Sequence, residues 1–392
     1  MKSASAVSFE LDDTAGLARE LAESVKGKIA FQKNSIGLLL CDADTDGAAL
    51  TGELKGILGF EVAGMTTLAA LDSGGRQDGG AVLTVLTADD CEFPVAVSEP
   101  LDAGNCEERI AGACGRIVAE GAPPGVLLAF CPSGLDFSGD QYPDVISRVA
   151  PGVPVIGGMS SNDYDHKHPR VFFSGGEYRD RLVLCGIRGD VHPVFSLRHA
   201  TSRFAERIRR VTAAEKNVVR MVGDETFVRY LEGFGFKTDV DDPLLAFASY
   251  PMMLTREGED ETPLMRHISK LDLADGSGTC VGDVPVGTLA NICLIKKEDI
   301  MAACRESMRV LLDAGEAHPG YSYSTAMCIS CGGRAMILGS DGDAEGRILS
   351  EMLPPGLTLF GAYCLGEICP ARYKDGQVSN RFHNCSITFC MF

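Results

Sequence analysis

Val126-Leu127-Leu128-Ala129-Phe130-Cys131-Pro132, a helical stretch over about Tyr142 to Val149, then Pro151-Gly152-Val153-Pro154-Val155-Ile156-Gly157-Gly158-Met159: this passage decides the fold. Two continuous apolar runs of strand length flank one helix, the pattern of a strand–helix–strand crossover between neighbouring parallel strands. Gly152 supplies a left-handed residue after the helix, and Pro151 stops it. The same order recurs on either side. Upstream, Gly37-Leu38-Leu39-Leu40-Cys41-Asp42 precedes a helix over about Ala48 to Leu58 and then Gly59-Phe60-Glu61-Val62-Ala63-Gly64-Met65. Downstream, Met327-Cys328-Ile329-Ser330-Cys331-Gly332 precedes a helix over about Ala344 to Met352 and then Pro355-Gly356-Leu357-Thr358-Leu359-Phe360-Gly361-Ala362-Tyr363. Cys41, Cys131 and Cys331 are therefore expected near the carboxyl ends of their first strands. Short α/β units share this grammar generically, so chance similarity is the competing explanation.

Outward from the crossovers, Arg170-Val171-Phe172-Phe173, Ser174-Gly175-Gly176 and Arg181-Leu182-Val183-Leu184-Cys185 read as two antiparallel strands around a glycine-rich turn. Phe382 to Phe392 takes the corresponding part at the C-terminus. The expected fold class is α/β to α+β: two domains, 1–195 and 196–392, each a mixed β-sheet flanked by helices. Glu298 to Ala314 is an amphipathic helix, with Ile300, Met301, Cys304, Met308, Leu311 and Leu312 on one face and acids opening its first turn. Val191 to Gly233, carrying Arg203, Arg207, Arg209 and Arg210, is expected to bridge the halves. Asp239 to Asp242 and Glu257 to Glu261 read as acidic, solvated loops.

Composition sets the outer bounds. The 392 residues suit two domains, and 45% apolar with 23% charged residues is the balance of a globular chain with ample core. Thirty-six basic against fifty-four acidic residues give a formal charge of −18, which repels phosphate backbones and argues against nucleic acid as a partner. No apolar run approaches the ~18 residues of a membrane span, so no membrane insertion is expected. Met1 to Asp13 lacks the apolar stretch of a secretory signal. Fifteen cysteines, odd in number and irregular in spacing, read as reduced thiols of a cytoplasmic protein.

The usual cofactor fingerprints are missing: there is no phosphate-binding Gly-x4-Gly-Lys-Ser/Thr loop and no Gly-x-Ser-x-Gly elbow. His166-Lys167-His168 resembles a metal pair but lacks further ligands nearby, and Ser160-Ser161-Asn162-Asp163 reads as a polar turn. Cys328-x-x-Cys331 does not suit one metal, because residues three apart on a strand face opposite ways. A thioredoxin-like motif is also disfavoured, since Gly332-Gly333 would delay the helix that such a motif needs. What remains is a polar constellation at strand ends: Cys331, Gly332, Gly333, Arg334, Tyr363, Glu367, His383 and Asn384. Ligands of open α/β sheets bind beyond such ends. Paired glycines admit a close backbone approach, Arg334 offers a fork to a carboxylate, and Glu367 can receive an ammonium or pair with Arg334. Equally, Arg334 and Glu367 can form a buried structural pair, with His383 and Asn384 tying strands together.

These residues carry a resemblance. Cys331-Gly332-Gly333-Arg334, Gly361-Ala362-Tyr363-Cys364-Leu365-Gly366-Glu367-Ile368 and Phe382-His383-Asn384-Cys385-Ser386 resemble the C-terminal FIST domain. Phe60 to Thr67 and Val155-Ile156-Gly157-Gly158-Met159-Ser160 resemble the N-terminal one. The likeness runs roughly from Phe31 onward. It implies an intracellular signal-input module that binds a small ligand such as an amino acid. It also implies a separately encoded kinase or cyclic-dinucleotide enzyme as partner, since the chain looks like a stand-alone FIST protein. No cofactor is expected on this reading. Some family members resemble haem-based nitric-oxide sensors, so a haem bound through an axial histidine, with His199 and His267 as candidates, is the first alternative. The second is an enzyme with Cys331 as nucleophile, its pKa depressed at a helix start and His383 as its base.

Overall fold

The computed structural model describes every residue except 11, 120, 163–168, 204–206, 257–261 and 375–376. The His166-Lys167-His168 motif, Asp163 and the Glu257–Glu261 loop lie outside the described residues. In chain order the first unit is β1 (Lys2–Ser8), α1 (Thr14–Lys28), β2 (Asn34–Cys41), α2 (Gly47–Leu58), β3 (Val62–Thr66), the hairpin β4 (Ala70–Asp72) and β5 (Gly75–Gln77), and β6 (Ala81–Ala88). The second repeats that plan: β7 (Val95–Val97), α3 (Cys106–Ala119), β8 (Val126–Cys131), α4 (Gln141–Val149), β9 (Val155–Met159), the hairpin β10 (Val171–Phe173) and β11 (Gly176–Tyr178), and β12 (Val183–Ile187).

The third unit opens with β13 (Val194–His199) and is then interrupted. The insertion carries β14 (Ser202–Arg203), β15 (Arg209–Glu215), β16 (Val218–Val222), β17 (Glu225–Thr226), α5 (Phe227–Glu232), α6 (Pro243–Ala246), β18 (Met252–Thr255), β19 (Leu264–Arg266), β20 (Ile268–Leu271), β21 (Gly278–Cys280) and β22 (Leu289–Leu294). The unit resumes with α7 (Lys297–Glu316), β23 (Thr325–Cys331), α8 (Gly332–Leu338), α9 (Ala344–Met352), β24 (Thr358–Cys364), the hairpin β25 (Glu367–Lys374) and β26 (Gln377–His383), and β27 (Ser386–Met391).

The three predicted crossovers are the parallel pairs β2/β3, β8/β9 and β23/β24 at the centres of three six-stranded mixed sheets. Gly59, Gly152 and Gly356, one after each helix, have φ of 81, 82 and 87°, the left-handed region that glycine enters without strain. Each unit gives its hairpin away. β4–β5 completes the third sheet beside β24, β10–β11 completes the first beside β3, and β25–β26 completes the second beside β9. The exchange closes a ring, so each sheet is finished by a neighbour. It crosses residue 195 in both directions.

Alternation along the strands makes two kinds of core. Leu38 and Leu40, Leu128 and Phe130, and Met327 and Ile329 point inward to one shared core between the three sheets. Leu39 and Cys41 pack under α1 and α2, Leu127 and Cys131 under α3 and α4, and Ala326 and Cys328 under α7 and α9. The insertion has its own core around Phe227, Tyr230, Phe247 and Ile292.

Three expectations are corrected. The Arg170–Cys185 hairpin closes earlier, at β11, because Val183–Ile187 is drawn between β8 and β7 in the second sheet. Phe382–Phe392 accordingly spans the end of an exchanged hairpin and a closing strand. Val191–Gly233 does not bridge halves; after β13 it builds the insertion's sheet, and the side chain of Arg203 lies outside the described residues. The third correction concerns phase. A Cβ on Gly64, Gly157 or Gly361 would lie 1.9, 2.0 or 2.5 Å from the carbonyl oxygen of Leu39, Ala129 or Cys328, so these are matching positions. The match of Cys41 and Cys131 is therefore Ser330. Cys331 ends its strand but lies one residue further, on the inward face.

Candidate functional site

The sequence-predicted residues divide between the outer face of the third sheet and the strand ends where the second and third sheets meet. On the outer face, Arg334 is fully buried in α8, which starts at Gly332 directly after the strand instead of being delayed. Its Nη2 and Nε donate to Glu345 Oε1 at 2.7 and 3.3 Å, and Nη2 also donates to the Ile300 carbonyl at 3.2 Å. Ser330 Oγ and the Tyr363 hydroxyl donate to Glu345 Oε2, both at 3.3 Å. Arg334 thus pairs with Glu345, not Glu367. Glu345 was missed, although it shares a helical face with Ile348, Leu349 and Met352, a signal of burial.

On the inner face the strand ends of all three units meet. The Tyr363 carbonyl accepts from Thr67 Oγ1 and Ser161 Oγ at 2.8 Å and from the Leu68 amide at 3.3 Å, joining one unit to the other two. The polar turn at Ser160–Asn162 is therefore a buried joint between units. Beside it lies Glu367, fully buried at the place where the other two hairpins present Ala70 and Val171. Its Oε2 accepts from the Ser386 amide at 3.1 Å and the Ser386 hydroxyl at 2.6 Å, while Oε1 has no hydrogen-bond partner. Burial pushes the Glu367 carboxyl up to about 8, with the Ser386 hydrogen bonds and the neighbouring Cys331 thiol opposing the rise. At neutral pH this acid is mostly uncharged.

The insertion supplies the cap. His267, between β19 and β20, places Nε2 3.1 Å from Cys385 Sγ and 3.7 Å from Cys331 Sγ. A Cβ on Gly333 would sit 2.7 Å from that nitrogen, so the second glycine of the pair makes room for an imidazole. The His267 amide donates to Asn384 Oδ1 at 3.4 Å, and His267 Nδ1 has no partner. Burial pulls the His267 imidazole down to about 4 and raises the Cys331 and Cys385 thiols, so the cluster is neutral throughout. His383 turns elsewhere. Its Nε2 lies 3.1 Å from the Cys369 carbonyl oxygen, and its ring is 5.9 Å from that of His199.

The cap is latched beside the cluster. Arg266, fully buried, donates through Nη2 to Asp140 Oδ1 at 2.9 Å and through Nη1 to the Phe382 carbonyl at 3.1 Å. The Asp283 amide donates to Asp140 Oδ2 at 2.7 Å. In the sequence His267 stood out only as a haem candidate and Cys385 only as part of a motif, and their meeting was not foreseen. His267 sits in an insertion without a motif, and Cys385 acquires its place only when β27 pairs with β23.

The thiol base nearest Cys331 is thus His267, not His383, and burial raises the Cys331 thiol instead of lowering it. His267, one of the two candidate haem ligands, turns Nε2 to two thiols and packs its ring on Gly333. All fifteen cysteines are free and buried. Among the described residues no group of three metal-ligating side chains converges to hold an ion, and no helix is long and apolar enough to cross a membrane. A water-sized recess of about 10 Å³, lined in part by Asp42, Thr67, Ala70 and Gly80, lies by the end of β2 in the first unit. A shallow groove of about 440 Å³, lined by residues including Leu312, Tyr323, Pro355 and Met391, lies at the opposite end of the third sheet.

Comparison with known proteins bears on the whole chain. The model of the FIST N domain matches residues 35–225, and that of the FIST C domain matches residues 225–370. No curated protein matches the chain. Among solved structures, a cyanuric acid hydrolase from A. caulinodans is similar over 99% of this chain and 97% of its own, at 9% identity. Its TM-score of 0.35 is too low to bear on function.

Proposed function

Because the chain belongs to the FIST family, we propose that it is a cytoplasmic signal-input protein that binds a small, amine-bearing metabolite such as an amino acid at the mouth built around Glu367. FIST domains are small-ligand sensory domains of signalling proteins, which supports the general reading. The observation that carries the particular one is Glu367 itself. A fully buried carboxyl with one oxygen unpartnered stands where three units and a capping insertion converge. Burying such a group is costly unless something uses it.

The surrounding charges choose the ligand class. Arg334 is committed to Glu345 on the far face, and Arg266 to Asp140 and to carbonyls. No cation is therefore held against Glu367, and an ammonium group supplies the missing charge. An anion would meet a carboxyl and two thiols. Ligand entry requires the insertion to lift, and that movement is the signal offered to a separately encoded kinase or cyclic-dinucleotide enzyme. A thermal-shift panel of amino acids, simple amines and matched carboxylic acids tests the reading, since a ligand of the native state raises the melting temperature. Amine-bearing compounds are expected to stabilise the wild type and to lose that effect in Glu367→Gln. Stabilisation by carboxylic acids alone, undiminished in the variant, would overturn it.

A further inference from the structure

Cys331 and Cys385 share a side-chain partner. The thiols of Cys185 and Cys304 reach only backbone carbonyl oxygens, at 3.7 and 4.0 Å. Cys331 and Cys385 both approach one imidazole nitrogen. A second, independent observation is backbone strain. Cys385 has φ of 60°, one of three described non-glycine residues with positive φ, a region costly for a side chain of this kind. That conformation ends the β26–β27 turn with the thiol on His267. A third is register. The β23/β27 ladder runs from Ala326 opposite Met391 to Ser330 opposite Ile387. One further step sets Cys331 against Ser386, next to Cys385.

We infer that Cys331 and Cys385 form a redox-active dithiol site, with His267 as its proton acceptor and a hydroperoxide as its oxidant. Neutral His267 Nε2 takes the proton of one thiol. The thiolate attacks one peroxide oxygen, the O–O bond breaks, and the departing oxygen takes the proton from His267, leaving a sulfenic acid and water or an alcohol. The second thiol attacks the sulfenic sulfur, an S–S bond forms, and water leaves. Two sulfurs lose two electrons in total and the peroxide gains them. In the latched form both thiols are buried and held protonated beside His267, so the site reacts when the insertion loosens enough to admit the peroxide while His267 still reaches the thiols. The Arg266–Asp140 contact controls that step. This chemistry does not depend on the ligand proposed above.

The test uses the full chain treated with equimolar hydrogen peroxide, then alkylated and mapped by mass spectrometry without reduction. The expected product is one Cys331–Cys385 cross-link, formed while the other thirteen thiols remain alkylatable after unfolding. Asp140→Asn, which loosens the latch, is expected to form it several-fold faster. Cys280→Ser, which alters a buried thiol elsewhere in the insertion, should still form it. Cross-links scattered among other cysteines, or no oxidation short of denaturation in both wild type and Asp140→Asn, would overturn the assignment.

Discussion

Glu345, on α9 over the outer face of the third sheet, and Glu367, at the start of β25 in the second sheet, are both fully buried, and the protein keeps them in opposite ways. Glu345 receives an arginine fork, a serine and a tyrosine, so its charge is matched and its two oxygens are used. Glu367 receives one serine through one oxygen, has only the Cys331 thiol beside it, and remains uncharged by holding its proton. The difference teaches that a conspicuous Arg and a conspicuous Glu in one motif need not meet. The strand between them sends them to separate layers. The satisfied acid belongs to the scaffold and the unsatisfied one to the mouth.

The largest effect should come from breaking the satisfied side. Arg334→Ala leaves Glu345 buried without its cation and is expected to cost about 3–5 kcal/mol in urea or thermal unfolding. A loss below ~1 kcal/mol would mean that the outer network does not hold the fold. Pairing the variant with Glu345→Gln should recover part of the loss, because the uncompensated charge is then gone.

The unsatisfied side should announce itself through pH. The folded pKa of Glu367, about 8, lies above the ordinary carboxylate value, so the native state keeps a proton that the unfolded chain releases. The stability it contributes is complete below the unfolded value and is lost as pH rises toward about 8. At about 1.4 kcal/mol per pH unit, the loss between about pH 5 and about pH 7.5 comes to ~3 kcal/mol. His267 acts in the other direction. Its folded pKa of about 4 lies below the ordinary histidine value, so its contribution is complete above that value and is lost as pH falls toward about 4. Glu367→Gln should flatten the alkaline limb alone. An alkaline limb that survives the substitution would assign it to another group and leave the comparison without its second half.

The crossovers were legible because each is local: strand, helix and strand lie within some forty residues, and α2, α4 and α9 fall within a residue of their expected bounds. The exchange of hairpins was not legible. Nothing in Ala70–Gln77 records that its partner is β24, nearly three hundred residues away. The third copy was read one residue out of phase because Cys328 and Cys331 both invite alignment, whereas Gly361 carries the phase through its contact with the Cys328 carbonyl. The same limit applies to the mouth. Cys331 and Glu367 were visible as strand-end polar residues, but the imidazole that meets Cys331 arrives from an insertion sixty-odd residues upstream.

Proton release on binding tests the central claim, that Glu367 is the handle for an amine-bearing ligand, most directly. Wild-type protein is titrated calorimetrically at pH 7, in two buffers of different ionisation enthalpy, with the compound that most raises its melting temperature. If an ammonium group turns neutral Glu367 into a carboxylate, binding releases about one proton per ligand, and the release disappears in Glu367→Gln together with most of the affinity. Binding of equal strength in both proteins, with no proton released in either, would contradict the account.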